Sequence, residues 1–241
     1  MKWAGKTETG KRPHNEDSYF VGTMDGRTVA AVSDGMGGHR AGEVASSLAI
    51  ETLRTALGFA AGAIEGKTLS DALVEANRVV FEKASNNDAM YGMGATLVCA
   101  AVFPDRFLAA NVGDSRMYLL HNDSIRQITH DHSYVAELVR RGVITHEEAR
   151  THPRRNLITR AIGAEPNVKV DLFADDWADG DTLLLCSDGL SGSLTDSEIA
   201  FILLAEPDPE KACDTLISRA LQNGSTDNIT VVLVKNAEDA Q

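Results

Sequence analysis

Five short clusters spread along the chain carry carboxylates in settings where chemistry is possible. They are Asn15-Glu16-Asp17, Ser33-Asp34-Gly35-Met36-Gly37-Gly38, Gly113-Asp114-Ser115-Arg116, Ser187-Asp188-Gly189-Leu190 and Thr226-Asp227-Asn228. Three of the aspartates border strongly apolar runs: Val29-Ala30-Ala31-Val32 before Asp34, Leu183-Leu184-Leu185-Cys186 before Asp188, and Ile229-Thr230-Val231-Val232 after Asp227. Such runs read as buried strands. An acid at the mouth of a buried strand is fixed by the core yet faces open space. Several of them facing one cleft repel each other and suffer desolvation. Divalent cations remove both penalties, and an all-oxygen donor set suits Mg2+ or Mn2+ rather than zinc. A single Asp-Gly pair is ordinarily a turn; the recurrence of the setting is what argues for a shared site.

The elements that must position these residues follow from periodicity. Thr28 to Val32 reads as a strand, followed by a glycine-rich loop and a helix over about Ala41 to Leu57 with Ala45, Leu48, Ala49, Thr52, Leu53 and Ala56 on one face. Gly58 to Gly66 reads as a loop. A second helix is expected near the capping box Thr68-x-x-Asp71, burying Ala72, Leu73, Ala76, Val79 and Val80. Four strands follow in quick succession, about Ala95–Val102, Arg106–Val112, Arg116–Leu120 and Ser124–Gln127. Their connections are too short for crossover helices, so they are expected to pair antiparallel, with Asn122-Asp123 as a hairpin turn. The stretch His130 to Gly163 is polar, arginine-bearing and expected to be mostly helical, with Thr145-x-x-Glu148 as a cap. Strands return at Val168–Phe173 and Thr182–Cys186. Two helices follow, capped by Thr195-x-x-Glu198 and by Asp208 with Pro209 in the first turn, the second burying Cys213, Leu216, Ile217, Ala220 and Leu221. Asn228 to Val234 is the last strand and Asp239-Ala240-Gln241 a frayed tail. Helix pairs alternating with runs of antiparallel strands predict two sheets packed face to face with helices outside, an α+β architecture rather than a doubly wound parallel sheet. Ser-Asp-Gly occurs after a strand at both Ser33 and Ser187, a weak sign of pseudo-symmetry.

Composition narrows the partners. The chain has 241 residues and 43% hydrophobic content, enough to bury a full core. A formal net charge of -12 argues against nucleic acid or an anionic membrane, which need a positive footprint. It is compatible with a phosphorylated substrate, because bound cations invert the local field. Cys99, Cys186 and Cys213 lie among apolar residues without Cys-x-x-Cys spacing and read as buried free thiols of a reducing, cytoplasmic compartment. Met1 to Gly10 has no apolar segment of leader type, and no run approaches the ~20 apolar residues of a membrane span.

The ordered series Arg12-x-x-Asn15-Glu16-Asp17, Asp34-Gly35-Met36-Gly37-Gly38, Gly94-Ala95-Thr96, Gly113-Asp114-Ser115-Arg116, Ser187-Asp188-Gly189 and Asp227-Asn228 resembles the motifs of the metal-dependent protein phosphatases, the PPM or type 2C serine/threonine phosphatases. The match runs from about Lys6 to Val234. His152-Pro153-Arg154-Arg155-Asn156 and Thr159-Arg160-Ala161-Ile162-Gly163 are similar to the compact bacterial members that oppose serine/threonine kinases. The resemblance implies a four-layer α-β-β-α sandwich of two mainly antiparallel sheets flanked by helix pairs. It also implies a single phosphatase catalytic domain over 1–241, with a variable flap at about 130–163. The implied activity is hydrolysis of phosphoserine and phosphothreonine in proteins by a metal-activated water, with two Mn2+ or Mg2+ ions and a third, weaker one.

By the same resemblance Asp34 bridges both ions, Asp188 and Asp227 complete one shell, and Glu16 and the Gly35 carbonyl complete the other. Asp17 acts behind them or through water, Asp114 shares the third ion with Asp188, and Arg12 receives phosphate with its planar fork. Partners would be phosphorylated proteins, including a serine/threonine kinase and its substrates, met by a monomer. Each residue has a plainer alternative. Asp34, Asp188 and Asp227 could be turn or cap carboxylates, Asp114 a hairpin-turn residue, and Arg12 a solvated arginine. Met36 stands where some eukaryotic members carry a histidine proposed as the general acid. His39 reads as a surface residue at a helix start, which leaves the acid unassigned. His130-Asp131-His132 reads as a loop entering a helix at Ser133 rather than a metal cluster. The rivals are a phosphatase for small phosphomonoesters or for a dedicated regulator of transcription, and a metal-binding regulatory module without turnover.

Overall fold

The structure, a computed structural model, describes residues 1–24, 26–37, 41–59 and 64–237. Gly38, His39 and the Asp239–Gln241 tail therefore lie outside the described residues, as does part of the loop after Gly58. Two antiparallel sheets form the centre. One has the order β1 (Lys2–Glu8), β11 (Ile229–Lys235), β10 (Thr182–Cys186), β7 (Arg116–His121), β8 (Ser124–Gln127). The other has the order β2 (Asp17–Met24), β3 (Arg27–Met36), β5 (Leu97–Val102), β6 (Arg106–Val112), β9 (Asp171–Asp176), with β4 (Gly94–Ala95) paired to the end of β3.

Alternation along the strands explains the layering. In β3, Ala30 and Val32 point into a core shared with Val98, Ala100, Phe107, Leu183, Leu185, Val232 and Val234 of both sheets. Val29 and Ala31 point the other way, onto α1 (Ala41–Gly58) and α2 (Gly66–Ser85) through Ala45, Ala49, Leu53, Leu73 and Val80. The second sheet does the same: Leu184, Val231 and Leu233 face α5 (Asp188–Ser191), α6 (Asp196–Ala205) and α7 (Pro209–Gln222). Strands covered on both faces have no polar face, and so they read as continuous apolar runs. The result is the expected four-layer α-β-β-α sandwich.

Several local expectations are met. Asn122 and Asp123 both have positive φ, 46° and 63°, the geometry of a two-residue hairpin turn. Thr145–Glu148 and Thr195–Glu198 form reciprocal capping boxes, and Asp208 caps α7 with Pro209 in its first turn. Others are corrected. The α2 box is Glu65–Thr68, so Thr68 is the third helical residue and Asp71 pairs instead with Lys67. Val79 is half-buried, and Leu221 is exposed. The stretch 130–163 is mostly irregular, with only α3 (Tyr134–Arg140) and α4 (His146–Thr151). The run of four strands is not one meander. β5 pairs β6 and β7 pairs β8, but the chain passes from one sheet to the other between β6 and β7. Gly113–Ser115 is therefore an inter-sheet corner, not a hairpin.

Candidate metal and phosphate site

The sequence brings its carboxylates together at one end of the sandwich because strand ends meet there. Asp17 at the start of β2 lies directly across from Asp34 near the end of β3, and cross-strand partners share a face of the sheet. Asp188 opens α5 just after β10, and Asp227 precedes β11, the antiparallel neighbour of β10. Asp114 precedes β7, whose Arg116 pairs with Cys186 two residues before Asp188. Glu16 is drawn in because its carbonyl accepts from the Gly35 N–H at 3.0 Å. A Cβ on Gly35 would lie 2.0 Å from the Gly42 carbonyl oxygen, and one on Gly42 would lie 2.6 Å from Glu16 Oε1. At Gly35 only glycine admits this approach, whereas a side chain at Gly42 would have to displace the Glu16 carboxylate.

Polar residues hold the frame. The Thr96 hydroxyl accepts the Asp34 N–H at 2.9 Å and pairs with the Ser115 hydroxyl at 2.7 Å, linking Asp34 to the Asp114 corner. The Ser187 and Thr230 hydroxyls donate to Asp17 Oδ2 at 2.7 and 2.6 Å, so the carboxylate from one sheet is held by the other. Asn228 accepts the Glu16 N–H at 2.8 Å and donates to the Thr9 and His14 carbonyls at 2.9 and 3.0 Å. Sequence reasoning gave Thr96, Ser115, Ser187 and Asn228 no role although each falls inside a quoted motif; Thr230 lies outside every motif. Their contacts span more than fifty residues of chain in most cases, and no local pattern announces them.

The electrostatics are those of crowded acids. Asp34 and Asp188 stay partly open to solvent, yet desolvation is the leading cause of both shifts. Burial, then the charges of Asp17, Asp188, Asp114 and Asp227, hold the Asp34 carboxyl well above the usual range. Burial and Asp227 raise Asp188 to about 6, against a hydrogen bond from Asp34 and the cations Arg12 and Arg116. Burial raises Asp17 to about 7 despite its two hydroxyl donors, and its Oδ1 is buried without a partner. Burial and Asp188 raise Asp114, and burial raises Glu16. Arg12, half exposed, donates to Asp227 Oδ2 at 2.7 Å. Among the described residues no three His, Cys, Asp or Glu side chains close around one point. The donor set still fits hard divalent cations: it is all oxygen, it lacks enough positive charge of its own, and it includes an orphaned buried carboxylate oxygen.

Other candidates fall away. Cys99, Cys186 and Cys213 are free, and burial pushes each thiol up to about 12, which excludes a ready thiolate nucleophile. A groove of about 440 Å3 between α1 and α2, walled by Leu48, Ala56 and Val79, contains none of the site residues. His130-Asp131-His132 binds within the protein, with Asp131 on Arg116 and His132 on Gly113, and Ser133 caps α3.

A four-layer sandwich with acids converging from both sheets defines a class, and comparison with known proteins agrees. The family description "Protein phosphatase 2C" matches residues 4–207. The serine/threonine phosphatase stp of Listeria innocua is 42% identical over 95% of this chain and 94% of its own. Stp1 of Staphylococcus aureus superposes with a TM-score of 0.92 at 39% identity, covering 100% of this chain and 96% of that one. The catalytic domain of the serine/threonine phosphatase PstP, solved with two manganese ions, gives 0.89 at 35% identity and 98% coverage of each chain. The chain belongs to the protein phosphatase 2C family and is a serine/threonine protein phosphatase.

Proposed function

We propose that the carboxylates gathered at the strand ends form the catalytic centre of this phosphatase and that its substrates are phosphoserine and phosphothreonine side chains of proteins. The observation that carries the reading is the convergence of Asp17 and Asp34 from one sheet with Asp188, Asp227 and Asp114 at the strand ends of the other, where burial first and neighbouring carboxylates second raise Asp34, Asp17, Asp188 and Asp114. Such an arrangement destabilises the protein unless positive charge enters it. Asp34 would touch both of two Mn2+ or Mg2+ ions, Asp188 and Asp227 one of them, and Glu16 with the Gly35 carbonyl the other. Asp17 would act from behind through water, and Asp114 with Asp188 would take a third, weaker ion. When bound, such cations supply an activated water and neutralise the phosphoryl oxygens.

Arg12 supplies the phosphate contact. Its guanidinium is half exposed and bonded through Nη2 to Asp227, leaving the rest of the fork for a phosphate oxygen pair. Release of Asp227 to a cation would free the whole fork. The partners would be phosphorylated proteins, including a serine/threonine kinase and its substrates, met by a monomer in the cytoplasm. No described helix is long and apolar enough to cross a membrane. The segment 130–163, which carries Arg140, Arg141, Arg150, Arg154, Arg155 and Arg160, would form a flap that shapes substrate choice. The test is turnover of a phosphothreonine peptide by metal-stripped protein with Mn2+ or Mg2+ added back. Activity should appear only with the cation; full activity in the stripped protein would refute the reading.

A further inference from the structure

The loop His130-Asp131-His132 wraps the corner that carries Asp114. Gly113, at φ +111°, turns the chain from one sheet to the other, and a Cβ there would lie 2.6 Å from Thr96 Cβ and Cγ2. Both polar groups of its backbone are taken. Its N–H donates to His132 Nδ1 at 3.0 Å. Its carbonyl accepts from the His132 N–H at 3.0 Å and from Asn111 Nδ2 at 3.2 Å. On the far side of Asp114, the Ser115 hydroxyl pairs with Thr96, and Arg116 is held by Asp131 through Nε at 3.0 Å and Nη2 at 2.7 Å.

The ring itself is anchored. Because Nδ1 accepts the Gly113 N–H hydrogen bond, a neutral imidazole carries its own proton on Nε2. That proton faces Asp171 Oδ2 at 3.1 Å. Arg160 Nη1, which donates to Asp171 Oδ1 at 2.7 Å and to the Lys169 carbonyl at 3.1 Å, also lies 2.8 Å from Nε2, a contact of two donors in this tautomer, so Arg160 is held by its acceptors and not by the ring. The His132 carbonyl accepts the Thr159 N–H at 2.8 Å. His132 is 5% exposed, and burial lowers its pKa, which favours the neutral ring this pattern needs. A rigid ring with an acceptor toward one partner and a donor toward the other is what neutral histidine offers.

We propose that His132 is a positioning residue for Asp114: its Nδ1 fixes the Gly113 peptide that aims the Asp114 carboxylate, and its Nε2–H on Asp171 ties that aim to both ends of segment 130–163. The proposal rests on the reading of Asp114 as a ligand of a weak cation. It places the root of the flap and the corner of the site on one hydrogen-bonded unit, so that a change at Thr159–Asp171 reaches Asp114 through a single ring.

The direct test is the bond itself. In the parent protein labelled with 15N, a coupling across the N–H···N bond should connect the Gly113 nitrogen to His132 Nδ1; its absence would overturn the proposal. Two variants then separate the ring's two ends. His132→Asn keeps an acceptor near Nδ1, whereas His132→Gln keeps a donor near Nε2 and loses that acceptor. Loss of one hydrogen bond predicts Gly113 amide exchange about tenfold faster in His132→Gln, with His132→Asn close to the parent. Equal exchange in the two variants would overturn the clamp. Calorimetric Mn2+ titration should show the weakest binding phase weakened in His132→Gln and in Asp114→Asn, but retained in His132→Asn. A phase weakened in Asp114→Asn yet unchanged in His132→Gln would overturn the positioning role. A parent-like titration in Asp114→Asn would instead remove Asp114 from the metal site, and the coupling and exchange results would still decide the clamp.

Discussion

The two Ser-Asp-Gly copies answer the same demand with different backbones. Ser33-Asp34-Gly35 stays within strand β3, and Gly35 pairs with Ala95 of β4. Ser187-Asp188-Gly189 leaves strand β10 and opens helix α5. In both, the serine is fully buried and the glycine is pressed on a neighbouring carbonyl. A Cβ would lie 2.0 Å from the Gly42 oxygen in the first and 1.9 Å from the Asn228 oxygen in the second. The tripeptide therefore encodes a carboxylate at a strand end with no room beside it, rather than a conformation. The copies differ most in their company. Burial and Asp227 raise Asp188 to about 6 against the lowering charges of Arg12 and Arg116, whereas every charge that acts on Asp34 among its main influences is another carboxylate.

That asymmetry predicts the largest effects. Asp34→Asn and Asp188→Asn should each cut phosphopeptide turnover by at least about 100-fold, as loss of a metal-site group does. Their effects on metal-free stability should diverge. Asp34→Asn removes a repulsive centre and should raise Tm in chelator. Asp188→Asn also removes a partner of two cations and should raise it less. With roughly 2–4 °C of Tm per kcal/mol in a chain of this size, the difference is measurable by calorimetry. Equal shifts would show that Arg12 and Arg116 do not discriminate between the copies.

How much of this was legible depends on whether the determinant is local. Asp34 and Asp188 were visible because each follows an apolar run covered on both faces, and helix caps such as Thr195–Glu198 and Asp208–Pro209 lie within four residues of their partners. Strand β1 was missed because Lys2–Glu8 is an edge strand with no fully buried residue. It exists through its register with β11, Lys2 opposite Lys235 and Glu8 opposite Ile229, which no local window contains. Strand β2 escapes for another reason: its register with β3 is local, Met24 opposite Arg27, but most of Asp17–Met24 is half-buried and forms no apolar run, and with it goes the fact that Asp17 faces Asp34. The sheet change at Gly113 was hidden because a three-residue link between strands ordinarily reads as a hairpin.

The serines offer a second way to break the comparison. Ser33 Oγ donates to the Thr96 carbonyl at 2.6 Å, a bond within the frame. Ser187 Oγ donates to Asp17 and accepts the Thr230 N–H at 3.0 Å. Ser33→Ala should therefore cost about 1 kcal/mol in urea denaturation. Ser187→Ala orphans a backbone donor and strips one of two donors from a buried carboxylate, and should cost about 2–3 kcal/mol. If the two substitutions cost the same, the second serine is not what holds Asp17 to the opposite sheet.

The smallest effect concerns the helices behind the two copies. Helix α2, behind Asp34, starts with Glu65 and Thr68, whose hydroxyl accepts the Glu65 N–H at 3.3 Å. Helix α6, behind Asp188, has a carboxylate at the third helical position. Glu198 accepts from the Thr195 N–H at 2.9 Å, the Thr195 hydroxyl at 3.0 Å and Asn223 Nδ2 at 3.2 Å. The Thr195 backbone bond first, then the Asn223 and Thr195 side chains, lower its pKa to about 2. A depressed carboxylate pKa stabilises the fold above the unfolded value of about 4.3, and that contribution fades as pH falls through the folded value. The parent should thus exceed Glu198→Gln in Tm at neutral pH, with the gap closing between about pH 4 and pH 2. Because the Glu198 side chain is still 32% exposed, salt should narrow the gap at neutral pH as well. Amide exchange should place the change in the first turn of α6 and leave α2 untouched. A gap that persists undiminished at pH 2 would mean that glutamine fails by shape rather than by charge, and the two helix layers would then share one response to acid.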